Sequence, residues 1–232
     1  MNSTLLQIPL STDSLSAPVI TEKTLSVINL ITSGGIGGNL VMGALGLLSI
    51  FAIYILIERF SAIRKASIED DAFLKSIQNF VEAKDIAAAK TLCRNTDSPI
   101  SRMIEKGVNR INKPMTDISA AIENQGKLEV FKMENNLANL ATISGAAPMI
   151  GFLGTVIGMI VAFHEMASAG GNIDVEMLSK GIYTAMTTTV AGLIVGIIAF
   201  IAYNYLVSKV DKVVFMLEAK TTEFLDLLHH NE

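Results

Sequence analysis

Two stretches hold the residues whose types and spacing could do chemistry. In residues 141–163, Ser144, Pro148, Gly151, Thr155, Gly158 and Ala162 recur at intervals of three or four. A helix would therefore place them on one side. In residues 181–208, Ala185, Thr189, Gly192, Gly196 and Ala199 do the same, with Thr184 and Thr188 beside them. Hydroxyls on such a face can hold water and line a path for a proton or an ion. They cannot themselves hold a proton's charge at neutral pH. The same face also suits plain helix packing, with each threonine bonded back to its own backbone. No hydrolase elbow, phosphate loop, zinc-site spacing or redox pair accompanies it. His164, His229 and His230 are scattered, and no nucleophile, base or metal constellation can be assembled. The expectation is a protein that is not an enzyme and needs no cofactor.

The elements that must position these residues are membrane helices. No Asp, Glu, Lys or Arg lies between Glu134 and Glu165, nor between Lys180 and Lys209. Each run exceeds the ~20 residues a helix needs to cross a bilayer core about 30 Å thick. Small residues let such helices approach closely, which points to Gly151, Gly154, Gly158, Gly192, Gly196 and Pro148 as packing positions. Leu40 to Ile57 supplies a first span, ended by Glu58 and Arg59 as an interfacial anchor. The apolar centres of the three spans carry no Asp, Glu, Lys, Arg or His. Proton relays through membranes normally use such groups. If this chain makes a proton path, the titrating group must come from a partner helix.

The remaining composition fits this reading. Half of the 232 residues are hydrophobic, and the mean hydropathy is +0.48. The net charge of −4 is slight, and no basic patch suggests nucleic acid. Cys93 is the only cysteine, which rules out an internal disulfide. Tyr54, Tyr183, Tyr203 and Tyr205 lie near the ends of apolar segments, where an interfacial belt would put them. Residues 1–23 lack the basic and apolar regions of a cleavable signal peptide and are expected to stay in the mature chain. Leu25, Ile28, Leu30 and Ile31 form a short apolar stripe before Gly34 and Gly35, as a surface-lying helix or an ordered coil.

The predicted organisation is an all-α integral membrane protein with three transmembrane helices, two of them extended into a cytoplasmic helical domain. Its parts are an N-terminal periplasmic segment with a candidate interfacial helix (1–38), span 1 (39–58), the cytoplasmic helical domain (59–138), span 2 (139–163), a periplasmic loop (164–180), span 3 (181–207) and a cytoplasmic C-terminal helix (208–232). In the domain, Phe73, Leu74, Ile77, Phe80 and Val81 fit one helical face. Asp85 can cap a helix over residues 86–94, and Ser98 can cap another with Pro99 at its first position. Pro148 is the one strong break expected after Pro114. Without it, a helix from Pro114 to Phe163 would run about 75 Å, and one from Lys180 to Leu228 about 73 Å. Val210, Val213, Val214, Leu217, Phe224 and Leu228 carry an apolar stripe into the tail. Of the 18 Lys and Arg, 13 lie in residues 58–140 and three after Val207. The positive-inside rule then sets the C-terminus in the cytoplasm and the N-terminus outside.

The two threonine-bearing stretches carry a family resemblance. Leu140-Ala141-Thr142-Ile143, Ala147-Pro148 and Gly151-Phe152-Leu153-Gly154-Thr155-Val156-Ile157-Gly158 resemble the second span of the MotA/TolQ/ExbB proton-channel family. The run from Gly181 through Thr187-Thr188-Thr189 to Leu193 resembles its third. Three spans favour the ExbB or TolQ branch over four-span MotA, with ExbB the nearer. The resemblance implies an inner-membrane homopentamer around the helices of an ExbD dimer, a single-span partner that supplies an intramembrane Asp. It implies that the complex uses the proton motive force to energise TonB, which drives uptake across the outer membrane. It also implies that Thr155 and Thr189 line the interior facing the ExbD helices. Many members carry Glu where this chain has Thr184, so no carboxylate role transfers there. Thr184, Thr187 and Thr188 could form a hydroxyl-lined substitute. A TolQ-like envelope-constriction motor and a purely structural membrane scaffold are the alternatives.

Overall fold

The computed structural model describes residues 35–67, 71–168 and 175–230. Among them every regular element is helical: α1 Gly35–Ala66, α2 Asp71–Glu82, α3 Ile86–Asn95, α4 Pro99–Val108, α5 Met115–Glu134, α6 Leu137–Ser168 and α7 Val175–His230. Three stretches are long and apolar enough to cross a membrane, lying in α1, α5–α6 and α7. The 56 residues of α7 span about 84 Å, well beyond any bilayer core. The apolar stripe before Gly34 lies outside the described residues, as does most of the loop after α6.

Local chemistry explains the short helices. The Asp85 carboxylate accepts from the Ala88 amide at 2.9 Å and so caps α3. Ser98 and Ser101 cap α4 reciprocally, with Pro99 in its first turn. The α2 face buries Phe73, Leu74, Ile77 and Val81, with Phe80 half-buried. In the tail of α7, Val210, Val213, Leu217, Phe224 and Leu228 are buried in turn. At Gly107 of α4, an added Cβ would lie 2.7 Å from Ile122 of α5 and 2.9 Å from Phe224 of α7. Three elements meet there, and glycine is what lets them close. The long α7 extension is thus a spine for the α2–α5 helices.

The structure moves the expected break. α6 runs straight through Pro148, while the chain turns instead at Asn135 and Asn136 between α5 and α6. Asn136 takes the left-handed φ of 64°. Asparagine visits that region more readily than most residues. Pro148 is tolerated because α7 is shaped around it: a Cβ at Gly196 would fall 2.5 Å from the proline ring and 3.0 Å from the Ser144 carbonyl. That carbonyl is the one whose helical donor the proline removes. In membrane helices a neighbour's backbone can take up such a freed group.

Candidate functional site

The site grows from the closeness of α6 and α7. A Cβ at Gly192 would lie 2.6 Å from the Ala147 carbonyl and 2.9 Å from the Gly151 Cα; at Gly151 it would lie 2.8 Å from the Thr188 carbonyl. Here backbone meets backbone. One turn on, a Cβ at Gly154 would strike the Thr188 side chain, and at Gly158 it would reach the Ala185 Cβ at 2.8 Å. Gly181 meets Ala162 in the same way at 2.6 Å. Among the described residues the glycine seam therefore runs from Pro148 and Gly196 to Ala162 and Gly181. It forms within one chain.

Three threonines gather on this seam. Thr188 donates within reach of the Gly151 carbonyl at 3.2 Å and the Ala185 carbonyl at 2.7 Å. Thr189 reaches the same Gly151 carbonyl at 3.1 Å. The Thr189 and Thr155 hydroxyls are 3.1 Å apart, and Thr155 also reaches the Phe152 carbonyl. Each hydroxyl has one hydrogen to give. The Thr155–Thr189 pair thus has two hydrogens for three acceptor contacts: Phe152, Gly151 and each other. One contact is always undonated, and rotation of a hydroxyl changes which. Both side chains are half-buried, whereas Thr188 is only 3% exposed. Thr188 is held in the helix–helix seam, and the Thr155–Thr189 pair sits at its edge.

Other expected lining residues stand apart. The Thr184 hydroxyl donates to the Lys180 carbonyl and Thr187 to the Tyr183 carbonyl at 2.9 Å, each within α7. Those two hydroxyls are bonded back to their own helix.

Two ionic groups are buried where the sequence reading did not place them. Arg59, an anchor by sequence, is only 8% exposed; it pairs with Glu58 and donates to the Lys132 carbonyl at 2.9 Å. Glu129 is 2% exposed and accepts from Arg102 at 3.0 and 2.8 Å, Gln125 at 2.8 Å and Lys132 at 3.0 Å. Burial raises its pKa, but the hydrogen bonds from Arg102 and Lys132 outweigh that, and the carboxyl lies below the ordinary glutamate value. The same pairing holds the Arg102 guanidinium above its usual pKa. The signal for Arg59 was its place directly after Glu58 at a span end. Nothing in the spacing of Glu129 marked it as buried.

A helical membrane protein with charge-free spans and a hydroxyl pair between two glycine-seamed helices is of the channel-subunit class. The chain belongs to the MotA/TolQ/ExbB proton channel family, which residues 95–219 match. It is 28% identical over 187 residues to a putative biopolymer transport protein ExbB homolog of Methanothermobacter thermautotrophicus, covering 80% of this chain and 64% of that one. It is 30% identical over 179 residues to the putative biopolymer transport protein ExbB-like 1 of Synechocystis, covering 74% and 68%. It is 25% identical over 223 residues to the Tol-Pal system protein TolQ of Pseudomonas aeruginosa, covering 91% and 96%. The first of these matches spans less than two thirds of the relative's length.

Proposed function

We propose that this chain is the proton-channel subunit of an inner-membrane ExbB–ExbD-type complex, which uses the proton motive force to energise TonB-dependent transport across the outer membrane. In this reading the chain forms a homo-oligomer, a pentamer, around an ExbD-like single-span partner. Its N-terminus is periplasmic and its C-terminus cytoplasmic. The observation that carries the reading is the Thr155–Thr189 hydroxyl pair, 3.1 Å apart between spans that hold no Asp, Glu, Lys, Arg or His of their own. A partner Asp would be costly to ionise in an apolar ring. Two hydroxyls that can rotate between acceptors, and the water they hold, lower that cost. Protonation can then switch the Asp between two states of similar energy. That closeness matters, because 100 mV supplies only about 2.3 kcal/mol per charge moved.

The test is Thr155→Val with Thr189→Val, nearly isosteric and lacking both hydroxyls. Growth or uptake dependent on a TonB-like partner should fall at least about tenfold, while expression and oligomer mass stay unchanged; a tenfold loss corresponds to about 1.4 kcal/mol. Serine at either position should restore part of the activity. Full activity in the double valine variant would leave packing as the role of these threonines.

A second reading has its own support. The TolQ of Pseudomonas aeruginosa aligns over 96% of its length, more than either ExbB-named relative above. Co-purification separates the two. An ExbD- and TonB-like pair supports the first, and a TolR- and TolA-like pair supports the second.

A further inference from the structure

α1 and α7 run parallel and in register. Ile53 and Leu56 share a narrow crevice with Ile198 and Ala202. Further along, Phe60 stacks on Tyr205, ring centroids 6.3 Å apart. Beyond the stack the helices part around an open cavity of about 340 Å³, with Arg64 and Ser67 on one side and Lys209 on the other. The Lys209 ammonium sits 5.5 Å from the centre of the Tyr205 ring, and this side chain is half-buried, which is unusual for lysine. Among the described residues no carboxylate lines the cavity and neither cation enters an ion pair.

Its position along the helices adds a second constraint. Tyr205 lies in the last turn of the charge-free run of α7, and Lys209 is the first charge after that run. Phe60 and Arg64 follow the corresponding end of span 1. The cavity therefore lies where hydrocarbon gives way to headgroups. Toward the bilayer centre, the two helices continue as a stripe of exposed Ile53, Ile57, Ile198 and Ile201. An aromatic stack, two cations and a hydroxyl stand at the foot of an apolar track. A free inorganic anion has no use for the track, and a neutral lipid has no use for the two cations.

We propose that this cavity is a binding site for an anionic phospholipid. Its phosphate sits between Arg64 and Lys209, Ser67 donates to a headgroup oxygen, and an acyl chain lies along the isoleucine stripe. Basic pockets between membrane helices favour anionic headgroups for the same electrostatic reason. The proposal rests on α1 and α7 spanning the membrane, and not on which motor the chain belongs to.

The test uses the full oligomer, purified in detergent and stripped of lipid. Phosphatidylglycerol, phosphatidylcholine and inorganic phosphate are added separately, and bound mass is read by native mass spectrometry. Phosphatidylglycerol should bind in preference to phosphatidylcholine. In Arg64→Gln with Lys209→Gln its binding should weaken on the order of tenfold, with each single variant losing about threefold to fivefold. Oligomer mass and phosphatidylcholine binding should not change, and Arg64→Lys with Lys209→Arg should keep the preference. If the double variant fails to assemble, the single variants decide. Equal phosphatidylglycerol binding in wild type and variants would overturn the site. Competition by inorganic phosphate at millimolar concentration would assign the cations to a free anion and overturn the lipid source. A photo-reactive phenylalanine analogue at position 60 should couple to lipid. Coupling to another copy of this chain would give the groove to that copy and overturn the proposal.

Discussion

Arg59 donates to the carbonyl of Lys132, 73 residues further along the chain, at 2.9 Å. This contact ties α1, just past the end of span 1, to the last turn of α5. That carbonyl belongs to the set a helix leaves unpaired at its C-terminus. It also lies one turn before Asn136, where the chain turns from the α2–α5 domain into α6. Arg59 thus braces the joint between the domain and the membrane helices. Arg59→Met keeps most of the bulk and loses both donor and charge, stranding Glu58 and the carbonyl in a buried place. The expected loss is about 2–3 kcal/mol, read as a lower temperature for thermal dissociation of the oligomer. Arg59→Lys should recover only part of it, because an ammonium lacks the guanidinium's fixed fork. Identical melting for all three would mean the brace bears no load.

Glu129 predicts how the domain responds to acid. Its carboxyl pKa is depressed in the folded protein, so its stabilisation is complete above the ordinary glutamate value and is lost as pH falls through the folded one. Glu129 should add no pH dependence to the melting temperature of the domain between about pH 5 and 7, and the melting temperature should fall below about pH 4. Glu129→Gln leaves Arg102 and Lys132 facing a neutral amide. It should lower the melting temperature at pH 7 and flatten the acid limb. A wild-type acid limb retained in the variant would place the acid response on other carboxyls.

Periodicity carried most of the fold. The α2 face, the caps at Asp85 and Ser98, and the stripe from Val210 to Leu228 follow from spacing and side-chain type alone, and each occupies the place those rules give it. The joint was missed because Pro148 is the stronger breaker by propensity, while Asn135 and Asn136 are weak ones. Tertiary context reversed that order: α7 offers a glycine to the proline ring, and Arg59 fixes the α5 end. Thr155 and Thr189 were legible as members of two small-residue faces, but the Gly151 carbonyl that Thr189 shares with Thr188 was not. That carbonyl depends on how deeply α7 sinks into α6. Glu129 was illegible because its burial depends on Arg102 arriving from another helix.

The glycines should divide by what surrounds them. At Gly192 even one methyl would meet backbone atoms of α6 at 2.6 and 2.9 Å, which cannot move aside as a side chain would. At Gly145, on the same helix as Gly151, an added methyl meets nothing within 4 Å. Gly192→Ala should therefore destabilise by about 1–3 kcal/mol and reduce the yield of folded protein. Gly145→Ala should be neutral, or better by up to about 1 kcal/mol from helix propensity. Because the contacts at Gly192 lie within one chain, the damage should appear as loss of folded protomer before any change in oligomer size. Thermal melts of the two variants side by side provide the measurement, and equal melting would contradict this assignment of the seam.

The orientation of the chain needs a reporter other than its native cysteine. Cys93 is 2% exposed, and burial, helped by Glu105, pushes its thiol pKa up to about 12. A buried, protonated thiol reacts poorly from either side, so absence of labelling at Cys93 says nothing of topology. Asn112 is exposed, in the turn between α4 and α5. Asn112→Cys in a Cys93→Ala background places an accessible thiol on the α2–α5 domain. By the positive-inside rule that domain is expected in the cytoplasm. A membrane-impermeant maleimide added to sealed spheroplasts should leave the new thiol unlabelled, and should label it fully once the membrane is opened. Labelling before opening, with a cytoplasmic control protein protected, would invert the topology. It would also move the Arg64 and Lys209 cavity to the outer leaflet.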